Sequence, residues 1–79
     1  MDDAIHSLLY HAEGETFHFA FADGGEMLAR VVSAAHVHAD DTIVLLRVGA
    51  LPGEPGWQVQ LADIRSVAAP DGRTLYRDI

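Results

Sequence analysis

Apolar residues recur at Ile5, Leu8, Leu9 and Ala12, the spacing of one face of an α-helix. Asp2 and Asp3 stand where N-caps belong, and Gly14 stands where a left-handed residue ends a helix. The pattern therefore predicts a short amphipathic helix over about residues 3 to 13. A helix of about three turns is too short to be stable alone, so its stripe must dock on the rest of the domain. The period then falls to two. In "TFHFAF", Phe17, Phe19 and Phe21 share one side of a strand and His18 and Ala20 the other, and the Asp-Gly chemistry of "ADGG" turns the chain back as a hairpin.

From Glu26 to His38 the odd positions (Met27, Ala29, Val31, Ser33, Ala35, Val37) form the inward face, and Arg30, His36 and His38 fall on the other. Such a run exceeds the usual strand of about five or six residues, so a bend is expected at Ser33, Ala34 and Ala35, letting one strand serve two parts of a sheet. After the Asp40-Asp41 turn, "TIVLLRV" is apolar on both faces, which suits a strand covered on both sides. Beyond the Pro/Gly loop "GALPGEPG", "WQVQL" sets Trp57, Val59 and Leu61 inward and Gln58 and Gln60 outward. "ADIRSVAAP" makes a single turn and a fifth strand, and Pro70-Asp71-Gly72 leads into "RTLYRDI", an edge strand or a frayed tail. The prediction is one mainly β domain: the helix, a five-stranded, strongly bent antiparallel small barrel over about residues 15–69, and the edge strand or tail over 70–79.

Two stretches carry a family pattern. "FAFADGGEMLARVVSA" is similar to the first two strands of an Sm-like small barrel around its Asp-Gly turn, and "WQVQLADIRSVAA" resembles the fourth strand, short turn and fifth strand. The chain thus resembles the Sm-like family over about residues 3 to 69, and less closely other SH3-like or photosynthetic-reaction-centre-type barrels. The resemblance implies rings, built by pairing the fourth strand of one subunit with the fifth of the next, and binding of single-stranded RNA by loops facing the pore. The family's first RNA motif, an Asp, an aromatic or apolar residue and an Asn, corresponds here to "HVHADDT", with Thr42 near the Asn position. Its second, an Arg-Gly pair, is replaced by "LADI". With neither motif intact, the resemblance implies assembly more than RNA binding.

Size and charge lead the same way. A chain of 79 residues buries only about 60 to 65% of the surface it exposes when unfolded, and small domains add a disulfide, a metal or a partner subunit. The chain has no cysteine, which closes the disulfide route and every thiolate metal site and leaves self-association as the commonest remedy. Twelve acidic against five basic residues give a formal charge of −7, which opposes nucleic acid and anionic membranes. No segment reads as a signal peptide or a membrane span, and the chain is expected to be cytoplasmic.

The remaining chemistry centres on "HVHADD". On an extended strand His36 and His38 would share a face about 6.6 Å apart, a spacing from which two imidazoles can converge on one metal. A third ligand requires Asp40 to fold back or His18 to reach across the hairpin; otherwise the pair simply ends a solvent-facing strand. Five histidines with reference pKa near 6.5 also offer a change in formal charge from −7 to −2 on acidification, which would weaken repulsion between subunits. Ser7, Ser33 and Ser66 lack a nucleophile-elbow context, "ADGGEM" lacks a phosphate-loop lysine, and Asp2-Asp3 and Asp40-Asp41 suit caps and turns, so no enzyme and no cofactor is expected.

Trp57 alternates with Val59 and Leu61 as a core residue would, yet it follows a Pro/Gly loop and is of the type that anchors interfaces. Arg65, Arg73 and Arg77 form the one basic patch open to RNA or an acidic partner, and are expected rather to offset nearby Asp63, Asp71 and Asp78. The expectation is a non-catalytic module that self-associates as a ring or dimer, or binds a protein partner. Its interface would comprise Trp57, Val59, Leu61 and Val67, with the helix stripe as an alternative contact. RNA through His36, His38, Thr42, Arg65, Arg73 and Arg77 is the less favoured alternative, metal at His36 and His38 the second, and neither DNA nor membrane is expected.

Overall fold

The computed structural model describes residues 3–78, with side chains from residue 4 onward. Helix α1 spans Asp3–Tyr10. It is followed by six strands: β1 (Thr16–Phe21), β2 (Glu26–Ser33), β3 (Thr42–Arg47), β4 (Trp57–Gln60), β5 (Ile64–Ala68) and β6 (Thr74–Arg77). A single 3₁₀ turn, Leu61–Asp63, joins β4 to β5. All strand pairs are antiparallel, in the order β4-β3-β2-β1-β5-β6.

The helix stripe docks as its period requires: Ile5, Leu9 and Ala12 are buried, and Leu8 packs against the same core. The regular helix stops short of residue 13. Ala12 N–H donates to the Leu9 carbonyl and Glu15 N–H to the Ala12 carbonyl, so tightened turns carry the chain through Gly14, at φ +88°, into β1. The capping expected of Asp2 and Asp3 lies outside the described side chains.

β1 is central. Its Phe17 and Phe19 are buried, and the Phe19 ring is flanked by Phe17 edge-on at 6.0 Å and by a stacked Phe21 at 6.3 Å. Burial of one such side chain contributes about 1.5–3 kcal/mol, and these rings join Val31, Leu45, Ile64 and Val67 in one core. The hairpin turn follows its chemistry: Gly24 takes φ +92° and Asp23 Oδ1 accepts the Gly25 N–H at 2.8 Å.

β2 serves two neighbours, as its length demands. Its first half pairs with β1 (Ala20↔Glu26 to Thr16↔Arg30), and its second half with β3 (Ala29↔Arg47 to Ser33↔Val44), through an irregularity between Val31 and Ser33.

The structure corrects three expectations. First, β2 ends at Ser33, and residues 35–40 form turns instead of continuing the strand to His38. Val37 N–H donates to Ala34 C=O and Asp40 N–H to His36 C=O, and burial passes from Val31 to Ala34 and Val37, a spacing of three. Second, the described residues form six strands, not five: of the edge strand or tail expected over 70–79, "TLYR" is the edge strand, paired with β5 with Tyr76 opposite Val67. Third, the sheet is open. A strand has only two edges, and β5 uses one on β1 and the other on β6, so it cannot also close onto β4. The sheet therefore ends at β4 on one side and β6 on the other. No described helix is long and apolar enough to cross a membrane.

Candidate interaction surface

The gap left by the open sheet is the most developed surface feature. In an antiparallel pair, directly opposed residues share a face. Trp57 lies opposite Leu45 and Val59 opposite Ile43, both fully buried, so Trp57 and Val59 belong to the inner face of β4. Alternation thus assigns Trp57 its face but not its burial. It is 55% exposed, because no strand lies across from it to cover it. Before it stands instead an open groove of about 540 Å³, whose far wall is Phe21, Asp23 and Asp63. A backbone bond from Ala22 N–H to Asp63 C=O ties that wall together at 2.8 Å. Its lining sets Phe21, Trp57 and Val59 beside the exposed carboxylates of Asp23 and Asp63.

Of the other residues expected at an interface, Val59 is half-buried, and Leu61 and Val67 lie inside the chain's own core. Val67 cannot pair with a neighbouring subunit through β5, since that strand is interior to the sheet. The second outer edge belongs to β6, where Thr74, Leu75 and Arg77 are exposed and Tyr76 faces the core. Arg65, Arg73 and Arg77 gather on this side, and among the described residues none of their side chains forms an ion pair, either with Asp63, Asp71 and Asp78 or with any other group. The offsetting of charge expected there is absent. Arg47, in contrast, is held by Glu54 through two bonds, Nε to Oε2 at 2.9 Å and Nη2 to Oε1 at 2.8 Å, which clamp the Pro/Gly loop to the end of β3 just before Trp57.

The "HVHADD" segment is arranged otherwise than a strand would arrange it. His36 is exposed, its Nδ1 3.3 Å from Asp40 Oδ2. His38 stacks on His6 of α1 at 5.5 Å between ring centroids and lies 4.7 Å from the Tyr10 ring. The two imidazoles are engaged with different neighbours. His18 pairs with Glu26 at 3.3 Å, and among the described residues no three ligand-type side chains gather as a metal site would require. Thr42, a candidate nucleic-acid contact, is buried at the start of β3.

One polar contact has no signal in the sequence. Buried His6 donates Nε2–H to Asp41 Oδ1 at 2.6 Å, and Asp41 holds a left-handed backbone at φ +52°. Asp41 C=O also accepts the Leu61 N–H at 2.8 Å. One turn residue thereby fastens α1 to the end of β4.

A last surface is the outer side of the sheet. Leu28 on β2 and Val48 beyond β3 are joined by a backbone bond at 2.9 Å and are both exposed, as are Val32 and Leu51. Compared with known proteins, the chain matches no family model, no curated protein and no solved structure.

Proposed function

We propose that this domain is a non-catalytic assembly or protein-interaction module that works by self-association through its sheet edges, as the Sm-like resemblance implies for assembly though not through its β4–β5 pairing. One observation carries the reading: the sheet has two unpaired edges, and beside one of them Trp57 stands exposed on the face that elsewhere forms the core. An edge of a short open sheet is a template for strand addition, and burial against a partner supplies what a chain of this size lacks. A cytoplasmic setting suits a domain that reaches stability by association without disulfides. Light scattering at neutral pH tests the proposal. An integral multiple of the chain mass that persists on dilution into the micromolar range supports it, and a monomer at all concentrations removes it.

A second reading, binding of single-stranded RNA, is favoured by Arg65, Arg73 and Arg77, whose charges no described side chain neutralises. The formal charge of −7 weighs against it. It requires an affinity for single-stranded RNA that falls steeply with salt and is weakened by Arg77→Glu.

A further inference from the structure

The two sheet edges differ in charge. The groove beside β4 is lined by Asp23 and Asp63, whereas the β6 side carries Arg65, Arg73 and Arg77, which form no ion pair among the described residues, against Asp71 and Asp78. Two copies meeting β4 to β4 about a two-fold axis would bring four carboxylates together, and two meeting β6 to β6 in the register centred on Leu75 would oppose Arg73 to Arg77. Both symmetric contacts are penalised, since like charges facing one another across a strand pair repel. The mixed contact is the complementary one.

We propose that the β4 groove of one copy receives the β6 edge of a second copy, head to tail. This rests on the self-association reading and specifies its geometry. β6 adds to β4 as a further strand, Leu75 covers Trp57, and Arg73 and Arg77 face Asp23 and Asp63. Length supports the match, because β4 and β6 are four residues each. The pairing of β4 with an interior β5 that the family resemblance implies is closed here, and β6 takes its place at the edge. A contact in which one edge meets a different edge is heterologous, so it propagates into a closed ring or a filament. A junction of four residues and one aromatic is small beside the roughly 1,200–2,000 Å² of a standard interface, so each junction is weak and a ring persists because its last junction forms intramolecularly.

The test is a charge swap read by analytical ultracentrifugation. Asp63→Arg spoils the groove and leaves the β6 edge intact, while Arg77→Glu spoils the edge and leaves the groove intact. Each variant alone should lose association by about tenfold or more, and an equimolar mixture should recover it, because alternating copies make one native junction and one in which the opposed charges are restored with their signs exchanged. Asp63→Asn, which removes charge without adding bulk, should give an intermediate loss, and circular dichroism of each variant establishes that it folds. Arg30→Glu, on the outer sheet face, should leave the mass unchanged. The proposal is overturned, with self-association intact, if both reversals leave the wild-type mass, if the mixture associates no better than its components, or if only Arg30→Glu dissociates the assembly. A wild type that is monomeric throughout overturns the self-association reading and this inference with it.

Discussion

His6 on α1 and Asp41 at the start of β3 are joined by a 2.6 Å hydrogen bond across 35 positions of sequence, and Asp41 makes that bond from a left-handed backbone. Both halves of the arrangement can be tested at one position. Asp41→Ala loses the acceptor and keeps an unfavourable φ, and should cost about 1–2 kcal/mol in urea denaturation. Asp41→Gly loses the same acceptor but relieves the backbone, and should recover roughly 0.5–1 kcal/mol relative to Ala. Asp41→Asn keeps a neutral acceptor and a residue tolerant of this conformation, and should stay nearest the parent. Equal losses for Ala and Gly would show that the backbone conformation carries no cost; equal losses for Asn and Ala would show the same of the hydrogen bond.

Two glycines should respond differently to a methyl group. At Gly56 an added Cβ would lie 2.7 Å from Val44 Cγ1 and 3.3 Å from the Leu45 carbonyl oxygen, a stiff side chain and a backbone atom that cannot both yield. Gly56→Ala should therefore push β4 from β3 and cost about 1–3 kcal/mol. At Gly24 there is open space but φ is +92°, so Gly24→Ala should cost about 1 kcal/mol through the backbone alone. Thermal unfolding of the two variants ranks them.

Trp57→Ala separates core from interface. A buried aromatic truncated to alanine costs about 3–5 kcal/mol, but the exposed Trp57 should cost less than about 1 kcal/mol in the dilute chain while lowering association at high concentration. Its fluorescence should move to shorter wavelength as concentration rises. A large loss of stability without a change in association would place Trp57 in the core.

What alternation can and cannot convey is visible in these residues. Phe17 and Phe19 were legible because a period of two with three aromatics on one side admits one orientation, and Asp23-Gly24 was legible because its turn is local chemistry. Ser33 to His38 misled because a strand and a turn with buried residues three apart both fit "SAAHVH", and the end of β2 depends on where its partner β3 begins. Trp57 showed its face but not its cover, which depends on whether a distant strand arrives. For His6 and Asp41 there was no local sign: one lies within a helix, the other in a turn, and only the folded chain brings them together.

Breaking the Arg47–Glu54 clamp should act on order more than on stability. The pair lies at the surface, with Arg47 exposed and Glu54 partly buried, so Glu54→Gln should cost about 1 kcal/mol. Amide exchange across residues 49–56 should nevertheless accelerate, and Trp57 should become more accessible to a soluble quencher. Unchanged exchange would mean that Pro52 and Pro55 alone hold the loop.

The histidine pair should divide in the same kind of experiment. His38→Ala removes the ring stacked on His6 and beside Tyr10 and should speed exchange across residues 35–41, whereas His36→Ala should leave it unaltered. A chelator that changes the stability or mass of the wild type would instead join the two residues in one metal site.

The sheet is also stitched out of chain order. β1 to β4 follow one another as a meander, but β5, only one 3₁₀ turn beyond β4, pairs with β1, so the sheet must curl for Phe19 to meet Val67, and β6 can add only after it. Pairing β1 with a strand so far along the chain spends entropy before its contacts form, so the meander should assemble first and the β5–β6 hairpin should dock late. The same hairpin pairs in the sheet with β1 alone, although Ile64, Val67 and Tyr76 anchor it in the core, and should open as one unit in the native state. Its departure bares the edge of β1 in the middle of the fold, where the β5–β6 hairpin of another molecule fits as well as its own. Exchange of C-terminal segments between chains is the expected consequence whenever that hairpin opens at high concentration.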